Sequence, residues 1–285
     1  MSAFTNYLGL GIAGNFALHL DQAGEAEDFK DIITTDEAAP KGMFPFYLPC
    51  KPFKIDTTYP KEKLFTYPLS NDTITLPQED LNVQAEPEVG LVCELLYDEA
   101  NKLQTIKPLR FGAYNDCSIR VAGADKISDK KNWGSNSKGI SATLFDIDTF
   151  SEGGIMDQFS ICSFVVRDGE VHAYGEDVEL NGYSYFYTQL TDWITQQINT
   201  QEEFGPLEDI KGYIQKCNNP QHAIISIGAT RYTPYGESTF LQNGDKVIVA
   251  VYNNTQYNVT HIIDAITTQR FTQENISFLV QNVCK

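Results

Sequence analysis

The chain has 285 residues, 42% of them hydrophobic and 21% charged, enough for one large domain or two modest ones with a real core. Its formal net charge of −17 excludes nonspecific attraction to nucleic acid or to an anionic membrane surface. An acidic protein that handles an anionic substrate needs a local positive centre, and a bound metal ion is one way to supply it.

In chain order, residues 7–12 predict a short strand, followed by an amphipathic helix near Asn15–Gln22 that Gly24 ends. The stretch "YLGLGIAGNFALHLDQ" (7–22) holds Gly9, Gly11 and Gly14 in the spacing G-x-G-x-x-G. "DIITTDE" with Asp36 supplies a second strand and a closing acid for a dinucleotide site, yet residues 37–115 offer no further β-α units. A dinucleotide-binding oxidoreductase is therefore a distant alternative. Residues 25–78 are rich in Pro, Thr, Lys and Asp, with aromatic clusters such as "GMFPFYLP". They read as loops and short strands, so that 1–78 forms an N-terminal segment with a candidate lid and 79–285 the main domain.

Strands are predicted over 81–97 and 102–115, joined by the turn "DEAN", and over 159–167 and 170–176 around Asp168–Gly169. Residues 118–139 read as a helix and then a basic loop rich in Gly and Ser. Helices are expected over 184–199 and 206–217, and strands over 222–229, 246–252 and 257–265. The body is α+β, mainly β. The six cysteines are scattered without a C-x-x-C pair, which excludes a zinc ribbon or a thioredoxin-type site. No basic, apolar leader opens the sequence, and no apolar run approaches the roughly 20 residues that span a bilayer. The expectation is a cytoplasmic protein with free thiols and no membrane contact.

The most informative stretch is "NVQAEPEVGLVCELL" (82–96). Glu86 and Glu88 stand two apart in an apolar strand, which turns both carboxylates to one face. Like charges in a half-buried strand repel and lose hydration unless a cation or donors lie between them. A solvent-facing stripe is the plain alternative for this pair. The next strand ends in "FGAYNDCSIR" (111–120), where Asp116 adds a third acid, although an Asp at such a junction also serves as a helix N-cap. Three carboxylates make an all-oxygen, half-open site suited to Mg²⁺ or Mn²⁺.

This pattern, E-x-E followed by N-D-x-S-x-R, resembles the fumarylacetoacetate hydrolase superfamily. "GLGIAGNFALH" is similar to that family's G-x-G-x-N-Y-x-x-H, with two extra residues before Asn15 and Phe16 in place of Tyr. "SKGIS" resembles its K-S-F segment, "RDGE" its N-G-E turn, and "SIGATRYTPYG" its T-G-T-P-x-G-V. The similarity runs in the family's order across residues 7–265. It implies a mixed β-sandwich or β-roll core of the fumarylacetoacetate hydrolase type with a few peripheral helices, and a homodimer. It also implies a divalent-metal-dependent enzyme acting on a small 2-oxo or 1,3-diketo acid through a stabilised enolate.

On this resemblance Glu86, Glu88 and Asp116 hold Mg²⁺ or Mn²⁺, His19 and Lys138 are catalytic, and Asn15, Gly228 and Thr230 bind an anionic small molecule. Family hydrolases pair the histidine with a glutamate three residues on, and here that position is Gln22. The departure favours decarboxylation or tautomerisation over hydrolysis of an acylpyruvate, or else an acid from 25–37 folds in as part of a lid. A family member that keeps the fold but serves only as a binding protein is the alternative from a different class. His172, His222 and His261 show no ligand spacing and read as structural.

Overall fold

In the computed structural model, which describes residues 3–285 apart from 18, 33, 35, 56 and 57, the apolar runs become strands of two main sheets. The strands begin with β1 (Leu8–Ala13), β2 (Gly42–Tyr47), β3 (Leu69–Ser70), β4 (Thr73–Thr75) and β5 (Val83–Gln84). Next come β6 (Pro87–Tyr97), β7 (Leu103–Asn115), β8 (Ser118–Ile119), β9 (Lys138–Ile140) and β10 (Phe145–Asp146). The last are β11 (Phe159–Arg167), β12 (Glu170–Glu179), β13 (His222–Ser226), β14 (Lys246–Asn253) and β15 (Ile276–Cys284). Three α-helices come first, α1 (His19–Gln22), α2 (Ser128–Lys131) and α3 (Tyr187–Thr200), followed by α4 (Ile210–Lys216), α5 (Pro234–Ser238) and α6 (Val259–Thr267).

The larger sheet runs β2-β1-β13-β6-β7-β9-β3, with β10 added on β7. The second runs β12-β11-β14-β15-β4, and β5 pairs with β8 in a small ribbon. Pairing is mixed, since β1 lies parallel to β13 but antiparallel to β2. This is the α+β, mainly β architecture that the sequence predicts. Leu10, Leu91 and Ile225 fill the main core from β1, β6 and β13. Leu190, Ile194 and Ile198, spaced four apart on α3, close it with one apolar stripe.

The glycine spacing at the start has a packing cause. Gly9 and Gly11 lie inside β1, and a Cβ at either would run into the rings of Phe46 and Phe44 on the neighbouring β2. Only Gly14, at φ 77°, makes a turn. Since β2 returns antiparallel beside β1, these glycines do not open the parallel β-α-β unit that a dinucleotide needs. Of "DIITTDE", positions 33 and 35 lie outside the described residues. Gly11→Ala is expected to cost about 1–3 kcal/mol of stability through overpacking. Thermal unfolding checks this, and Phe44→Leu should return part of the loss.

Several sequence expectations change. Residues 257–265 are not a strand: from Val259 on they belong to α6, whose capping box joins the N-cap Asn258 to His261. The isoleucines at 262, 263 and 266 suit either element, and the cap decides for helix. Residues 118–139 hold no long helix, only β8, the single turn α2 and the start of β9. The helix near Asn15–Gln22 is shorter than expected, with α1 beginning at His19. The thiols are not all free either: Cys50 and Cys217 form a disulfide with Cα atoms 5.2 Å apart, while Cys93, Cys117, Cys162 and Cys284 are unpaired. Among the described residues no helix is long and apolar enough to cross a membrane.

Candidate active site

Two strand ends bring the predicted acids together. Pro87, which has no N–H to donate, opens β6 opposite Asn115 at the end of β7. The N–H of Glu86 donates to Asn115 Oδ1 at 3.1 Å, and the N–H of Asp116 donates to the Glu86 carbonyl at 2.9 Å. Glu86, Glu88 and Asp116 are all buried, with ligand oxygens within 4.8 Å of one another. The composition alone would suit a hard divalent cation.

The same space holds four basic side chains. Lys131 Nζ lies 2.6 Å from Glu86 Oε2 and 2.6 Å from Asp116 Oδ2. Lys138 Nζ donates to Asp116 Oδ1 at 2.6 Å and to the Asp116 carbonyl at 3.1 Å. Arg120 reaches Glu86 Oε1 and Glu25 Oε1, each at 2.7 Å, and Lys130 adds a second cation to Glu25 at 2.9 Å. The rings that the glycines of β1 admit lie beneath two of these ammonium groups: Lys131 Nζ is 5.0 Å from the Phe44 centroid and Lys138 Nζ 5.5 Å from that of Phe46.

Burial sharpens every charge here. It works to raise the pKa of Glu86, but Lys131 and Arg120 outweigh it and hold that carboxyl well below the usual range. Burial raises Glu88 well above that range, and the charges of Asp116 and Glu86 add to the effect. Glu88 is therefore the neutral acid of the cluster, its Oε2 accepting from the Gly228 N–H at 2.9 Å. Burial opposes the charge on Lys131, yet Asp116 and Glu86 keep its pKa above that of an ordinary lysine. Lys138 is lowered, by burial first.

His19 faces this cluster from α1. Its Nδ1 lies 3.0 Å from the Thr230 carbonyl, an acceptor, so the proton sits on Nδ1 and Nε2 carries the lone pair. Burial lowers its pKa to about 4, with Glu86 resisting the shift and Arg120 reinforcing it, so the ring is neutral at pH 7. Thr230 thus meets His19 through its main chain, while its hydroxyl points to the Pro87 carbonyl at 3.5 Å. Asn15, fully buried, spends its amide on the Tyr185 and Ile227 backbones. Gly228, at φ 111°, lies so close to Asn15 that an added Cβ would sit 3.0 Å from the Asn15 Cβ.

Gln22 forms a two-way clamp on one residue, donating to the Tyr232 carbonyl at 3.2 Å and accepting from the Tyr232 N–H at 2.9 Å. A glutamate cannot donate the first bond. Gln22→Glu is expected to cost about 1–3 kcal/mol, because it sets an oxygen against the Tyr232 carbonyl. The midpoint of a urea titration checks it. The acid that does reach the cluster is Glu25, buried against Arg120 and Lys130. Sequence reasoning left open which acid of the 25–37 segment folds in, and it gave no role to Arg120, Lys130 or Lys131. The available signals were Arg120 as the closing arginine of "NDCSIR" and the pair "KK" (130–131), set between Ile127 and Trp133 in an otherwise acidic chain.

The buried triad is a group able to hold a divalent ion, and Lys131 stands where that ion would sit. A Mg²⁺ ion would need the Glu86 and Asp116 oxygens at about 2.0–2.1 Å. Lys131 already stands on one oxygen of each.

The fold is of the fumarylacetoacetate hydrolase type, in a divergent form. The chain belongs to a family of unknown function (DUF5718), whose profile matches residues 25–283. The fold is shared with the inhibitor-bound crystal structure of Cg1458 at a TM-score of 0.53 and 17% identity, over 98% of this chain and 77% of that one. An HpcE candidate from Mycobacterium smegmatis also superposes with a TM-score of 0.53, at 13% identity over 97% of this chain and 74% of that one. An uncharacterized protein from Mycobacterium abscessus gives 0.50 at 14% identity, over 98% and 78%. No curated protein matches the sequence.

Proposed function

We propose that this chain is an enzyme acting on a small 2-oxo or 1,3-dioxo acid, breaking a C–H or C–C bond through an enolate. The observation that carries this reading is His19, a neutral imidazole oriented by the Thr230 carbonyl beside a buried cluster rich in cations. In that setting Nε2 accepts or returns a proton at the carbon next to the oxo group. Arg120 and Lys131 supply the field that favours developing negative charge, stronger for lying in a water-excluded place. The neutral carboxyl of Glu88 adds a hydrogen-bond donor, and Lys138 holds Asp116 in position. The fold of the inhibitor-bound Cg1458 protein is consistent with a small-molecule site.

With Gln22 committed to Tyr232, the hydrolytic histidine–glutamate pairing has no partner at that position, which favours decarboxylation or tautomerisation. The triad's composition suits Mg²⁺ or Mn²⁺, but the chemistry proposed here requires only the protein's own groups. Helix α1 and the turn after it bring His19 and Glu25 to the cluster, and their displacement is the proposed route for substrate entry. A homodimer is part of the proposal and is read by sedimentation. Turnover of oxaloacetate and of acylpyruvates, followed by loss of keto or enol absorbance, tests the enzyme directly. Turnover by the wild type, lowered about 10²–10⁴-fold in His19→Asn, is the expected result.

A second reading, a binding protein on the same fold, is favoured by Gln22, whose commitment to Tyr232 leaves His19 without the acidic partner of the family's hydrolases. A 2-oxo acid that raises the melting temperature without being consumed would decide for it.

A further inference from the structure

The cation between the strand ends is already part of the chain. We propose that Lys131 is a tethered substitute for the divalent ion that the acidic triad is composed to hold, so that the protein works without a metal. The inference concerns the same site as the proposed enzyme, but its test reads metal uptake and is independent of turnover.

Geometry comes first. Lys131 Nζ bridges Glu86 Oε2 and Asp116 Oδ2 at 2.6 Å each, the residue just before β6 and the residue just after β7, as a shared cation would. Asp116 Oδ2 has no directed hydrogen bond, so the ammonium meets it as a charge and not along a donor axis. Charge balance points the same way. Among the described residues the cluster holds Glu25, Glu86, Glu88 and Asp116 against Arg120, Lys130, Lys131 and Lys138. The four bases offset every carboxylate of the cluster, whereas the triad alone would carry negative charge with nothing to balance it. A dication added to a buried cluster already offset by its own bases brings a double charge that nothing there balances.

The local chain holds Lys131 in that place. It ends α2, and Asn132 pins the next residue by donating to the Phe46 carbonyl at 2.8 Å and the Thr66 carbonyl at 3.0 Å. Phe44 lies below the ammonium, admitted by the missing side chain of Gly11. The opening glycines, β2 and the lysine form one device that puts a fixed monovalent cation on two carboxylates.

The test is a Mn²⁺ titration of chelator-treated full-length protein, with free Mn²⁺ read by electron paramagnetic resonance. Wild type and Lys131→Arg should leave millimolar Mn²⁺ free. Lys131→Ala removes the charge and opens the space, and should bind Mn²⁺ at least about tenfold more tightly than wild type. That gain should vanish when Glu88→Gln is added. A Lys131→Ala protein that folds only with Mn²⁺ present supports the proposal equally. Wild-type protein taking up one equivalent of Mn²⁺, lost in Glu88→Gln, overturns it. So does a folded Lys131→Ala that leaves Mn²⁺ free. If that variant does not fold under any condition, the wild-type titration decides alone.

Discussion

Arg120→Met should lower the unfolding free energy by about 3–5 kcal/mol, the largest stability effect expected from one substitution in this chain. The guanidinium is the hub of the cluster. It reaches Glu25 and Glu86 at 2.7 Å, Gln84 Oε1 at 2.7 Å and the Tyr232 hydroxyl at 3.0 Å. Methionine fills much of the volume but leaves two buried carboxylates with one cation each, Lys130 on Glu25 and Lys131 on Glu86. The cost comes from two dehydrated carboxylates that each lose one of their two cations, together with the lost hydrogen bonds. Adding Glu25→Gln should recover part of it, giving a non-additive double-mutant cycle. Urea unfolding measures both. A loss below about 1 kcal/mol would place Arg120 among solvated surface pairs and contradict a dry cluster.

His19→Asn should lower turnover by about 10²–10⁴, the range of a positioned acid–base group, with little change in KM. The same variant carries a pH signature. The folded imidazole takes up its proton at about 4, the unfolded one near 6.5, so between these values the unfolded chain binds more protons. The stability attached to neutral His19 is therefore intact above pH 6.5 and lost as pH falls toward 4. Over that interval of about 2.5 pH units it amounts to about 3 kcal/mol. His19→Asn should lose less stability than wild type between pH 7 and pH 4, by up to that amount. Activity of the wild type should stay level through neutral pH and fall only on approach to pH 4. Identical pH slopes for the two proteins would mean that His19 is solvated, and would remove it as the candidate base.

Much of this site was legible because strand periodicity is local. Two glutamates two apart in extended chain meet on one side, even though the predicted strand 81–97 breaks at 85–86, leaving Glu86 just before β6 and only Glu88 within it. The acid after the next strand lands opposite by antiparallel register. The order of short motifs was equally readable, and it led to the fold. What stayed hidden depends on contacts across long stretches of chain. Residues 257–265 look like a strand because isoleucine suits both elements, and a capping bond makes them a helix. Glu25 and Lys131 are 106 positions apart and share no motif, so nothing local links them to Glu86.

The sequence by itself determined the β-rich class, the meeting of Glu86, Glu88 and Asp116, and the place of His19 just before them in the fold. Each follows from side-chain alternation or from order along the chain. Only the tertiary structure decided what neutralises the acids. An ion and an ammonium satisfy the same carboxylates, and the choice rests on which distant side chain reaches them first. Here Lys131 does, because Gly9 and Gly11 let two aromatic rings lie flat beneath it and its neighbour Lys138.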